Sequence, residues 1–244
     1  MLTPSIYMYI IFISIVFYLV KEGYWNNSFT NLYTTIKSNL KLFLLTLSLT
    51  IFSILVLDLP ISEYFSDRDN LTFLNHIIAM INNLGDGSFI FSLFTTLVII
   101  SLIIKKDKYK RILLISLSSS VYAGLFNLFL KIFFNRARPY VNLNPYKLFT
   151  YGNTHIFRSD YWSMPSGHTI VAFAAFIPLA IHSKNKILKL FFINLSILVA
   201  FARIYLFKHW LSDVIIAAFL GTMIGIMTYQ HNNIKKSNEA IKAL

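Results

Sequence analysis

Apolar stretches of bilayer-spanning length recur from one end of this 244-residue chain to the other, and no other feature limits its fold as tightly. The hydrocarbon core of a membrane is about 30 Å thick and takes about 20 apolar residues of helix to cross, because unpaired backbone groups are not tolerated there. Such runs occupy residues 4–20, 40–57, 88–104, 112–134, 169–182, 187–207 and 214–230. The expected architecture is all-α, a polytopic transmembrane helical bundle of seven spans. Composition enters only to exclude the alternatives. With 56% hydrophobic and 13% charged residues, the chain is too apolar for disorder and carries about half the charge of a soluble domain.

Two runs need individual treatment. No Lys or Arg precedes 4–20 and no small-residue cleavage pattern follows it, so it reads as an uncleaved helix rather than a signal peptide. The run at 169–182 is short, but Ser166 and Gly167 suit a helix start and Pro178 is tolerable as a kink inside a membrane bundle. Residues 71–84 mix apolar positions with Asn75, His76, Asn82 and Asn83. That segment is too short to cross and reads as an interfacial helix.

Charge sets the orientation. Residues 58–86 carry Asp58, Glu63, Asp67, Asp69 and Asp86 against Arg68, whereas Lys105, Lys106, Lys108, Lys110 and Arg111 crowd the next loop. Because short cytoplasmic loops collect Lys and Arg, residues 21–41, 105–111, 184–189 and the tail with Lys235, Lys236 and Lys242 are expected inside, and the N-terminus outside. The net charge of +12 then records membrane orientation, and nucleic-acid binding is not expected. The absence of cysteine excludes disulfides, thiolate metal sites and a cysteine nucleophile.

The outside segments break the charge rule, since they hold Lys131, Arg136, Arg138, Lys147, Arg158, Arg203 and Lys208. Three short motifs account for most of these cations: Lys131 with Arg138-Pro139, Pro165-Ser166-Gly167-His168, and Arg203 with His209 and Asp213. The topology delivers all three to one membrane face. Guanidinium forks and a lysine suit a phosphoryl group with its dispersed charge. Pro139 keeps Arg138 from continuing the helix that bears Lys131, so it turns out at the helix end. A helix start at Ser166-Gly167 would bind an anion, with His168 beside it as a proton donor. His209 and Asp213, four apart, would share a helix face and form a carboxylate-backed nucleophile.

Taken singly, each motif also has a structural reading. Lys131 and Arg138 can snorkel to headgroups, Pro165 to His168 can form a helix cap, and His209 with Asp213 can be an interfacial ion pair beside Trp210. Together the motifs resemble those of the type 2 phosphatidic acid phosphatase superfamily: Lys, six residues, Arg-Pro; Pro-Ser-Gly-His; Ser-Arg, five residues, His, three residues, Asp. The spacing matches throughout, with Ala202 in place of the usual serine. The resemblance runs from about Leu40 to the last span. It implies phosphate contacts from Lys131, Arg138, Ser166, Gly167 and Arg203, acid catalysis by His168, attack by His209, orientation by Asp213, and no metal or other cofactor.

The family pattern has a six-helix core, so the implied division is an extra N-terminal helix and cytoplasmic connector at 1–39, the membrane-embedded core at 40–230 and a basic cytoplasmic tail at 231–244. The expected activity is hydrolysis of a lipid phosphate at the exoplasmic face of a plasma or bacterial inner membrane. Similar proteins act on undecaprenyl diphosphate, lipid A 1-phosphate, phosphatidylglycerol phosphate or phosphatidic acid. Phosphoryl transfer to a second lipid and non-enzymatic binding or transport of an anionic lipid are the alternatives. Arg136, His155, Arg158 and Asp160 read as solvated loop residues, and His76, His182 and His231 as structural or exposed.

Overall fold

The computed structural model describes residues 6–66, 72–150 and 158–242, and among these the chain is helical without strands. Asp67, Arg68, Asp69, His155 and the start of the first expected span lie outside the described residues. Helix α1 (Ile6–Lys21) is followed by α2 (Ser28–Ser38), α3 (Leu40–Phe52), α4 (Asp58–Ser66), α5 (Thr72–Asn83), α6 (Gly87–Ile103), α7 (Asp107–Phe134), α8 (Gly167–His182), α9 (Lys186–Tyr205) and α10 (Leu211–Lys242). The protein is a multi-pass membrane protein built as one helical bundle.

The expected seven spans all correspond to helices, but not on equal terms. Among the described residues four stretches are long and apolar enough to cross alone: Leu40–Ser66, Tyr109–Val141, Lys186–Tyr205 and Leu211–Asn233. A fifth is formed if α5 and α6, bent by 60°, count together. Helices α1 and α8 have 16 residues each, about 24 Å at the helical rise. The short α8 is nevertheless the centre of the bundle, packed against α7, α9 and α10. Its Ile170, Ala172, Ala174 and Ala175 are fully buried. Gly221 on α10 lets the two backbones touch, since a Cβ there would lie 2.5 Å from the Ile170 carbonyl oxygen. Small residues at such a crossing drive helix association in lipid.

Two helix ends differ from expectation. The second span does not stop at Leu57 but passes through a π-turn, Ser53–Leu57, into α4. The π-turn lies directly ahead of Pro60, which cannot donate to the helix ladder, and it takes up the irregularity. Asp58 is therefore a buried helical residue, 1% exposed, and not a loop charge. At the other end, α10 runs past Gln230 to Lys242, because residues 231–242 contain neither Gly nor Pro.

The first two helices pack on the rest. Phe12 meets Phe91 with ring centroids 5.2 Å apart, and the Trp25 indole donates to the Ser118 hydroxyl at 2.8 Å. His231 joins them as a structural residue, with Nδ1 3.2 Å from the Asn31 amide and Nε2 3.3 Å from the Gly23 carbonyl. His182 lies 3.5 Å from the Tyr229 hydroxyl.

Candidate active site

The three motifs meet at one end of the bundle, where α7 and α9 finish and α8 and α10 begin. Helix α7 ends at Phe134 and Asn135 adopts a left-handed conformation (φ 36°) whose amide caps the Lys131 carbonyl at 2.9 Å. Lys131 thus sits on the last turn. Arg138 follows in extended backbone (φ −78°, ψ 158°) ahead of Pro139, off the α7 axis as the proline requires. The Lys131 ammonium donates to the Trp162 carbonyl at 2.5 Å. Arg138 donates through Nε to the Ser159 carbonyl at 3.1 Å, leaving the terminal nitrogens of its fork to the site.

Gly167 brings the second motif against the first. A Cβ on it would lie 3.3 Å from the Asn127 amide nitrogen and 3.5 Å from Lys131 Cε, so a side chain would press on Asn127 and reach contact with the lysine. Ser166 occupies the N-cap position of α8 but makes no capping hydrogen bond. Its hydroxyl accepts from Thr169 at 2.9 Å instead, and the first-turn amides of α8 keep their donors.

Arg203 closes α9 and is 6% exposed. One terminal nitrogen donates to the Asn82 side chain, and Nε is buried without a partner among the described residues, as is Asn127 Oδ1. A buried donor such as Arg203 Nε ordinarily finds an acceptor, and an oxyanion fits the cationic surroundings.

His209 does not share a helix with Asp213. It lies in the turn between α9 and α10, where Phe207 is left-handed (φ 55°) and the Lys208 and His209 amides both return to the Arg203 carbonyl. Asp213 sits in the first turn of α10. The turn brings the His209 ring to the carboxylate, Nδ1 to Oδ2, at 3.6 Å, beyond direct hydrogen bonding. The Asp213 oxygens have closer partners: Oδ2 accepts from Ser163 Oγ at 2.5 Å and the Trp210 amide at 3.0 Å, and Oδ1 from Arg136 at 2.6 Å. Burial pushes the His209 imidazole well below its usual pKa, and the charges of Arg203, Lys131 and Arg138 add to this. The neutral form of His209 is thereby favoured, and with Nδ1 turned to Asp213 its Nε2 lies on the other edge of the ring.

His168, at the start of α8, faces a carboxylate that the sequence did not single out. Asp86 N-caps α6, accepting from the Ser88 and Phe89 amides at 2.9 and 3.1 Å, and its other oxygen lies 3.8 Å from His168 Nε2. Burial works to raise the Asp86 carboxyl, but hydrogen bonds from Ser88 and Phe89 and the nearby His168 outweigh it and hold the pKa down.

Arg136 corrects the sequence expectation most sharply. It is 1% exposed rather than solvated and bridges Asp58 and Asp213 at 2.7 and 2.6 Å. It is paired with two carboxylates that the chain places 78 and 77 residues away, which no local spacing announces. Arg158 is exposed as expected and pairs at 3.0 Å with Asp160, which is half-buried, accepts also from the Tyr140 hydroxyl at 3.0 Å and holds the Arg138 amide with its carbonyl.

Comparison with known proteins bears on this arrangement. The model of the PAP2 superfamily matches residues 110–236. The solved structure of LpxE from Aquifex aeolicus is similar, with 25% identity and a TM-score of 0.54 over 72% of this chain and 96% of that one. A PAP2-type phosphatidylglycerolphosphate phosphatase from Bacillus subtilis is similar in fold, with 22% identity and a TM-score of 0.61 over 80% of this chain and 95% of that one. No curated protein sequence matches.

Proposed function

Because the chain belongs to the PAP2 superfamily, we propose that it is a membrane-embedded lipid phosphatase that releases a monoester phosphate, or the terminal phosphate of a lipid diphosphate, through a phosphohistidine. The observation that carries this reading is a buried imidazole, His209, backed by Asp213 at 3.6 Å at the end of the bundle where Arg203, Lys131 and Arg138 also act on it. The cations and the open amides of α8 hold the phosphoryl oxygens and stabilise the charge they gain in the transition state.

His209 Nδ1 is on the Asp213 side, so Nε2 attacks phosphorus. Burial and the Arg203 charge hold His168 down to about 3 before the phosphate binds, so its proton comes from the bound monoanionic phosphate, whose charge favours the imidazolium. The bond from phosphorus to the lipid oxygen breaks, and His168 passes that proton to the oxygen. Water then attacks the phosphohistidine, His168 takes a proton from it, and the P–N bond breaks to free inorganic phosphate. Ala202 is fully buried and offers no hydroxyl to the phosphate.

Substrate candidates are phosphatidylglycerol phosphate, undecaprenyl diphosphate, lipid A 1-phosphate and phosphatidic acid, reaching the site from the exoplasmic leaflet of a plasma or bacterial inner membrane. Purified protein incubated with these lipids should release phosphate from at least one without an acceptor lipid. Release only with an acceptor identifies a phosphotransferase, and binding without product a carrier. Reporter fusions after Arg111 and Lys236 should both report the cytoplasmic side; an exoplasmic report reverses the active face.

A further inference from the structure

The charges buried behind His209 are not balanced. Arg136, Asp58 and Asp213 are each at most 1% exposed, and two carboxylates against one guanidinium leave a formal charge of −1. Removing such a cluster from water is costly, and packed apolar residues of similar volume commonly serve stability as well or better. The cluster nevertheless has a nearly complete set of partners. Arg136 donates through Nε and Nη2 to the Pro145 carbonyl at 3.2 and 2.8 Å, through Nη1 to Ser212 Oγ and Asp213, and through Nη2 to Asp58. Asp58 Oδ1 accepts from Ser53 Oγ at 2.8 Å and the Ser212 amide at 2.9 Å, and its Oδ2 accepts from Ser212 Oγ at 2.5 Å. The guanidinium also lies 5.4 Å from the centre of the Trp210 ring.

We propose that Asp58, acting through Arg136, is a positioning residue that preserves a net negative charge behind His209 and so favours the phosphohistidine. The proposal rests on the phosphohistidine reading above. Arg136 alone would cancel Asp213, and the imidazole would be backed by a neutral pair. Asp58 engages the opposite side of the same guanidinium and restores the missing charge, while Arg136 and Ser163 fix the Asp213 oxygens. When Nε2 bonds to phosphorus with the proton retained on Nδ1, the ring becomes cationic. The charges that lower its pKa most, Arg203 from α9, Lys131 from α7, Arg138 from the following segment and His168 from α8, are cations or can become so, and the carboxylate on the far side, Asp86, is turned to His168. The Asp58–Arg136–Asp213 cluster is therefore the anionic counterweight at the back of the ring.

The test compares the native protein with Asp58→Asn and with the double variant Asp58→Asn/Arg136→Gln. The measurements are kcat and KM on phosphatidylglycerol phosphate in detergent micelles, detection of phosphohistidine after an alkaline denaturing quench, and the thermal midpoint. Asp58→Asn keeps the shape but makes the cluster neutral, and should lower kcat about 10- to 100-fold with KM changed less than about twofold. The double variant returns the formal charge to −1 and should recover most of that loss, although the tie between α4 and α10 is weakened. A native kcat in Asp58→Asn, or a double variant slower than Asp58→Asn, overturns the proposal while leaving the phosphohistidine intact. If Asp58→Asn does not fold, the double variant decides: a kcat within about tenfold of native supports the proposal, and a larger loss overturns it. A native protein that turns over this lipid without any phosphohistidine defeats the parent reading and the proposal together.

Discussion

The two site histidines each face a carboxylate, but in unlike surroundings. His209 is 2% exposed, its Asp213 is fully buried, and the carboxylate oxygens are held by Arg136, Ser163 and the Trp210 amide. The His168 side chain is 25% exposed and its Asp86 partner 42%, at 3.8 Å. In a dry, fixed environment a charge acts strongly on its neighbour, whereas at a half-open edge solvent screens it. The arrangement suits two proposed tasks. The buried ring must hold one geometry while phosphorus is attached, and the edge ring must exchange protons with a departing lipid oxygen and then with water.

Substitutions can break this contrast in graded steps. His209→Ala should abolish turnover and phosphoenzyme together, as removal of the nucleophile does; near-native turnover would return His209 to a structural role. Asp213→Asn should cost on the order of 1000-fold in kcat, because the carboxylate both orients the ring and offsets its charge. A loss no larger than that of Asp86→Asn would erase the distinction between the pairs. His168→Ala should cost about 100-fold or more through lost acid–base assistance, while the protein still labels slowly on His209. Asp86→Asn should reduce kcat/KM by at most about fivefold, the scale of a screened ion pair. The smallest effect expected is that of a chelator, which should leave activity unchanged. Asp58 and Asp213 already have guanidinium, hydroxyl and amide partners, so they are poorly disposed to coordinate a divalent ion. Loss of activity in chelator with recovery in magnesium would contradict this.

The uneven legibility of the sequence follows the same contrast. The helical membrane fold was readable because hydrocarbon imposes long apolar runs, and the three motifs because each is a short local pattern at a span boundary. Arg136 was not readable: an isolated arginine between two motif positions has the signature of a solvated residue, and its partners come from distant helices. Asp58 failed similarly, since an acid at the edge of an apolar run marks a span end unless a buried cation meets it. The His209–Asp213 spacing suggested one helix face, yet the ring approaches from a turn that a left-handed Phe207 creates. Asp86 was counted only as loop charge, although it also caps α6 and faces His168.

Trapping the intermediate tests nucleophilic attack by His209 most directly. Native protein and His209→Ala, given phosphatidylglycerol phosphate labelled in its terminal phosphate, are acid-free quenched within the first turnover and mapped by mass spectrometry. Labelled phosphohistidine is expected at His209 in the native protein and none in the variant. Turnover of that lipid with no phosphorylated histidine, or with the phosphoryl group on His168, would contradict it.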